Sequence, residues 1–126
     1  MTTNSFAALA CDYDGTLATH GVVDAATIAA LERCKAAGTR LLLVTGREMD
    51  DIWRILPEWK LFDRIVAENG ALLYRPETGE EQPLAARPSD AFIQLLRDQD
   101  VAPLAVGRVI VATFESYERQ VLAAIH

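Results

Sequence analysis

Short unbroken apolar runs and longer stretches with a helical stripe take turns along the first half of the chain. Phe6-Ala7-Ala8-Leu9-Ala10-Cys11 is apolar without alternation, the pattern of a strand covered on both faces in a parallel sheet. A loop follows through His20-Gly21. A helix is predicted from about Asp24 to Ala37: Asp24 is a good N-cap, Ile28, Leu31 and Cys34 recur on one face, and Gly38 is a natural stop. Thr39 to Thr45 reads as a second buried strand. Gly46 is then expected to open a second helix with Met49, Ile52, Trp53 and Leu56 as its apolar stripe, ended by Pro57. Arg64 to Ala67 is a short third strand. The order β-α-β-α-β implies an α/β fold of parallel strands joined by right-handed crossovers.

After Asn69-Gly70 the pattern changes. Residues 71–74 and 81–84 read as a hairpin around a polar turn rich in Pro, Gly and charge. A helix capped by Ser89 is predicted over 89–98, with Phe92, Ile93, Leu95 and Leu96 inward. Val106 to Thr113 reads as one strand, and a last helix from about Ser116 carries Tyr117, Val121 and Ile125 to the end of the sequence. The concentration of Pro, Gly and charge near 75–88 predicts two units, 1–83 and 84–126.

Composition narrows the function classes. The 126 residues are one ordinary domain's length, and 51% are hydrophobic, so a core is affordable and disorder is not expected. The net charge of -6 argues against a nucleic-acid or anionic-membrane surface. Cys11 and Cys34 read as buried free thiols in a reducing compartment. Residues 1–5 lack a basic leader region, and the apolar run after them is too short to cross a membrane, so a cytoplasmic location is expected.

The chemistry concentrates at Asp12-Tyr13-Asp14-Gly15-Thr16-Leu17, directly after the first apolar run. Residues i and i+2 of a strand point to one face, so Asp12 and Asp14 can converge on one site at the carboxyl end of the strand, where open α/β sheets bind ligands. Such a pair can hold a hard cation, attack an electrophile and handle a proton. Thr45-Gly46-Arg47 ends the second strand and Ala67-Glu68-Asn69-Gly70 the third. The Thr suits an N-cap or an anion-holding group, and Asn-Gly an ordinary turn.

Asp12-x-Asp14-Gly15-Thr16-Leu17 after an apolar strand resembles the first motif of the haloacid dehalogenase superfamily, whose members are mostly phosphatases. The resemblance implies that Asp12 is the nucleophile and a metal ligand. It implies that Asp14 is the acid-base and ligates Mg2+ through its carbonyl. Thr45, with Gly46 and Gly15, would hold the phosphoryl group, as in the family's second motif. Glu68-Asn69-Gly70 resembles the segment before the cap in the C2-cap branch, the Cof-type and sucrose-phosphate-phosphatase-like members. Asn69, Glu68 and Arg47 are then candidates for the substrate side, although Arg47 equally fits a place at the rim. The implied fold is a Rossmann-like core with a partial parallel sheet and the start of an α+β C2-type cap. The implied substrate is a small phosphorylated metabolite such as a sugar phosphate.

The resemblance also implies two downstream features, a strand-end Lys and an acidic loop completing the Mg2+ site. Lys35 and Lys60 do not fall at strand ends, and nothing after residue 90 reads as such a loop. The sequence is therefore expected to be an N-terminal portion with an open sheet edge, prone to self-association. A catalytically incomplete Mg2+- and phosphate-binding module is the alternative. A receiver-type signalling domain fits less well, because the third strand ends in Glu68-Asn69 and Tyr13 separates the acids of the first.

Overall fold

The first apolar run forms β1 (Ala8–Asp12), so Asp12 is the last residue of the strand. In the computed structural model, which describes residues 6–126, the chain divides into two units, one through Gln82 and one from Pro83 to His126. Residues 1–5, on which the reading of the leader rests, lie outside the described residues.

In the first unit β1 is followed by a small antiparallel pair, β2 (Ala18–Thr19) and β3 (Val22–Val23). The sequence reading takes this stretch as plain loop. Two-residue strands carry no period to detect, and their turn is set by His20 and Gly21 at φ 51° and 80°. Helix α1 (Ala25–Ala36) starts where Asp24 accepts the Thr27 N–H at 2.7 Å, and ends before Gly38 at φ 91°. Next come β4 (Arg40–Val44), α2 (Met49–Ile55), β5 (Arg64–Ala67), β6 (Leu72–Arg75) and β7 (Glu80–Pro83). The sheet order is β1-β4-β5-β6-β7, with β1, β4 and β5 parallel and β6 antiparallel to β5.

That order explains which face is covered. Two right-handed crossovers stepping in one direction along a sheet place both helices on the same face. Leu9, Cys11, Leu41, Leu43, Ile65, Ala67, Leu72 and Tyr74 share that face by register. Most of them join Leu31 of α1, Met49 and Ile52 of α2, and Phe62 in one buried cluster. Ala8, Ala10, Leu42, Val44 and Val66 share the other face. There Ala8 and Ala10 are exposed and Val44 is 40% exposed. The expectation that residues 6–11 are covered on both sides does not hold: among the described residues β1 has only β4 as neighbour, and Cys11 alone in the strand is buried. The sequence reading expected an open edge as well, and β1 is that edge.

In the second unit Ser89 caps α3 (Asp90–Asp98) by accepting the Phe92 N–H at 3.1 Å. The expected strand over 106–113 is instead a tight hairpin, β8 (Ala105–Val106) and β9 (Val111–Ala112). The turn between them is closed by the Gly107 N–H on the Ile110 carbonyl at 2.8 Å. Helix α4 (Glu118–Ile125) packs on α3, while Leu122 and Ile125 stay exposed. Ile93, Leu96, Val101 and Val109 are the buried apolar residues of this unit. Among the described residues no helix is long and apolar enough to cross a membrane.

Candidate active site at three strand ends

Three neighbouring strands end side by side. Asp12 pairs in register with Val44, and Val44 with Val66, so Asp12, Thr45 and Glu68 leave the sheet at one edge. The loops beyond are stitched by main-chain bonds: Thr45 N–H to Val66 carbonyl at 2.8 Å, Asn69 N–H to Thr45 carbonyl at 3.2 Å, and Glu68 N–H to Arg47 carbonyl at 3.0 Å. Every sequence-predicted site residue belongs to this cluster of loops.

Asp12 is exposed, and its Oδ2 accepts the Thr16 hydroxyl at 3.2 Å. Gly15 takes φ 75°, a conformation that favours glycine, and its N–H is bonded to the Ala18 carbonyl at 3.0 Å. Gly15 thus has its amide engaged inside its own turn. Its role is to turn the chain so that Thr16 reaches back to Asp12.

Asp14 is half-exposed and held in a fork. Arg47 Nε donates to its Oδ2 and Arg47 Nη2 to its Oδ1, both at 2.8 Å. Arg47 Nη1 donates to Asp51 at 2.5 Å, and Asp51 also accepts from Arg54. The guanidinium lies 5.6 Å from the centre of the Tyr13 ring, within cation–π range. The Arg47 hydrogen bonds hold the Asp14 carboxyl below the usual carboxylate range, outweighing partial burial. Burial alone would raise Asp51, but the hydrogen bonds from Arg47 and Arg54 bring it down. The same bonds, Asp14's first, raise Arg47 further above its ordinary value.

Thr45 is buried at 3% exposure, and its Oγ1 accepts the Arg47 N–H at 3.0 Å. The expectation that Gly46 opens a helix does not hold, because α2 begins only at Met49. Arg47 N–H is spent on the Thr45 hydroxyl, and Thr45-Gly46-Arg47 is a loop rather than a first helical turn. Gly46 is required by its neighbour: a methyl group there would lie 2.6 Å from Asn69 Oδ1. Asn69 and Glu68 both take positive φ, 56° and 52°, and Glu68 is fully buried.

Two participants are absent from the sequence reading. Asp51 is half-buried against Arg47. Its i+4 spacing from Arg47 was the available signal, although Arg47 itself precedes α2. Tyr13, between the acids, is fully buried, with its hydroxyl donating to the Gly21 carbonyl at 2.7 Å. Desolvation raises its phenol above the ordinary value.

Mg2+ takes hard oxygens from one or two carboxylates and completes its shell with water and phosphate. The Asp12 carboxylate and the Asp14 carbonyl are hard oxygen donors, whereas the Asp14 carboxylate is occupied by Arg47. Among the described residues no group of three or more His, Cys, Asp or Glu side chains is placed to hold a metal. The residues present therefore fit a hydrated, ligand-completed Mg2+ rather than a closed protein cage. A cleft of about 460 Å3 lies elsewhere, at the amino end of β5, lined by Lys35, Lys60, Asp63 and Glu77. Lys35 there donates to the Leu61 carbonyl at 2.7 Å. The paired acids, rather than this cleft, mark the candidate site.

Comparison with known proteins agrees with this geometry. A sequence model of the haloacid dehalogenase-like hydrolases matches residues 9–120. The Bacillus subtilis (strain 168) protein named "Putative phosphatase YxeH" is 38% identical over 76 residues, 57% of this chain and 28% of that protein. Among solved structures, the subclass IIB sugar phosphatase BT4131 superposes with a TM-score of 0.58 at 25% identity, over 84% of this chain and 43% of its own. The phosphatase BT1666 from Bacteroides thetaiotaomicron gives a TM-score of 0.59 at 25% identity, over 94% of this chain and 46% of its own. The chain thus spans less than half the length of these relatives. With the family's pattern running through nearly all of the sequence and its fold repeated in the sheet, this chain belongs to the haloacid dehalogenase-like hydrolases.

Proposed function

We propose that the strand-end site carries out Mg2+-dependent hydrolysis of a small phosphorylated metabolite through an aspartyl-phosphate. The observation that supports this reading most directly is the exposed Asp12 carboxylate at the end of β1, beside Thr45 at the next strand end and Asp14 one turn on. Asp12 Oδ attacks phosphorus, and the bond to the ester oxygen breaks. The departing alcohol takes a proton from Asp14. Water then attacks the aspartyl-phosphate, releasing inorganic phosphate and Asp12, while its proton returns to Asp14. The Thr45 hydroxyl and the Gly46 amide hold the phosphoryl oxygens, with Arg47 and Asn69 on the substrate side and Glu68, fully buried, in the turn that carries Asn69. The Asp12 carboxylate and the Asp14 carbonyl would hold Mg2+, which would supply positive charge against the repulsion between carboxylate and phosphate. The residues after 83 act as the start of the cap, and the likeness to a sugar phosphatase makes sugar phosphates the first substrates to try. Two free thiols fit a reducing, cytoplasmic setting. The open β1 edge favours association with a second copy of the chain.

The test is hydrolysis of an aryl phosphate with and without Mg2+, with Asp12→Asn alongside. Turnover that needs both Mg2+ and Asp12 is expected, and Mg2+-dependent turnover surviving in Asp12→Asn would remove Asp12 from its role. A second reading is a catalytically incomplete Mg2+- and phosphate-binding module that needs a C-terminal half or a partner. It is favoured by the Arg47-occupied Asp14. Phosphate binding without turnover by the folded chain would select it.

A further inference from the structure

Arg47 is not a rim residue. Its guanidinium is packed over Tyr13, lies beside Gly21 of the β2–β3 turn, and spends three N–H groups on two carboxylates. Its side chain is 30% exposed, that of Asp14 53% and that of Asp51 28%. The contacts differ in kind. Nε and Nη2 face Asp14, the residue that the phosphoester reading needs for proton transfer. Nη1 faces Asp51, which Arg54 also holds on the solvent side of α2. One end of the guanidinium is therefore anchored on a helix, and the other is closed over a working carboxylate.

A phosphate group arriving at Asp12 would add its charge to two carboxylates already there. Arg47 is the cation paired with the acid next to it, and a fork that fits a carboxylate fits two phosphate oxygens equally well. Transfer of Nε and Nη2 from Asp14 to phosphate would neutralise the newcomer and release Asp14 in one movement.

We infer that Arg47 is a two-position latch, closed on Asp14 in the free protein and handed to the phosphoryl oxygens on binding, with Asp51 as the positioning residue that retains it in both positions. This inference rests on the phosphoester reading of the site. A ligand that must open the latch binds more weakly by the fraction of molecules in which it stands open. Removing the Asp14 carboxylate then tightens phosphate for two reasons, less repulsion and an open latch, and only the second needs Arg47.

The experiment is a titration of the whole chain with inorganic phosphate in the presence of Mg2+, followed by the NMR signals of the Arg47 Nε–H and of the backbone amides. It uses the wild type, Asp14→Asn, Arg47→Ala and the double variant, each checked for fold by circular dichroism. Phosphate is expected to shift the Arg47 Nε–H signal, as Asp14→Asn does without phosphate. Asp14→Asn is expected to tighten phosphate about tenfold beside Arg47 but clearly less in the Arg47→Ala background, the coupling that a double-mutant cycle isolates. Asp51→Asn should loosen phosphate, and Asp51→Glu should recover part of the loss, which a purely structural role in α2 would not produce. Equal tightening in both backgrounds would overturn the latch, leaving repulsion alone. Phosphate that shifts the Asp12 and Thr45 amides but not Arg47 would overturn the latch and leave the phosphoester reading standing. Phosphate that shifts none of the three would overturn both.

Discussion

The two faces of the sheet in the first unit are built from the same apolar residue types and have opposite fates. Leu41, Leu43 and Ile65 are fully buried beneath α1 and α2. Val44, one residue from Leu43 and paired with Val66, is 40% exposed, and Ala8 and Ala10 of the edge strand are open. The difference teaches that hydrophobicity states what a strand can bury, while crossover direction decides which face receives the cover. It also matters for the site, because Asp12 shares the open face's register with Ala8 and Ala10, whereas Thr45 shares that of the buried face.

Substitutions can break this comparison. Leu43→Ala or Ile65→Ala should cost about 2–5 kcal/mol in denaturant unfolding, since each removes fully packed methyl groups. Val44→Ala, on the other face, should cost less than about 1 kcal/mol by transfer alone. Equal costs would mean that the open face is covered in solution, and light scattering on the same samples would tell whether a second copy covers it.

Gly46→Ala is the next largest effect. The added carbon meets Asn69 Oδ1 at 2.6 Å, so either Asn69 rotates or the loop shifts, at a cost of about 1–3 kcal/mol. Phosphate affinity should fall with it. Unchanged stability and binding would show that the Thr45 and Asn69 loops are less tightly stitched than the main-chain bonds indicate.

A smaller effect comes from the cap of α1. The Thr27 N–H holds the Asp24 carboxyl below its ordinary value of 3.8. A carboxyl with a depressed folded value stabilises fully above its unfolded value, and that contribution is lost as pH falls through the folded one. Asp24→Asn keeps a capping oxygen but removes the titration, so the acid limb of a pH-stability curve should flatten below about pH 4. An unaltered limb would assign it to other carboxylates.

Long periodic elements were legible in the sequence and local backbone states were not. Asp24 and Gly38 bracketed α1 because a cap and a positive-φ stop are written in residue type, and Ser89 did the same for α3. The three parallel strands followed from apolar runs between helical stripes. β2, β3, β8 and β9 escaped because two-residue strands have no period. The start of α2 was misplaced because Gly46 resembles a helix opening, when its lack of a side chain serves Asn69 instead. At the site, the order of the acids and Thr45 was readable. The fork from Arg47 to Asp14 was not, because thirty-three positions separate the partners and only the alignment of β1 with β4 joins them.

Tyr13 gives the first motif a property that its acids do not express. A fully buried aromatic ring lies between two solvent-facing carboxylates, and its hydroxyl is tied to the Gly21 carbonyl 2.7 Å away. The loop that carries the two acids is therefore moored from beneath to the hairpin that follows it. Asp12 and Asp14 ride on a plate fixed at its centre, so thermal motion there is expected as tilting of the carboxylates about Tyr13 rather than drift of the whole loop.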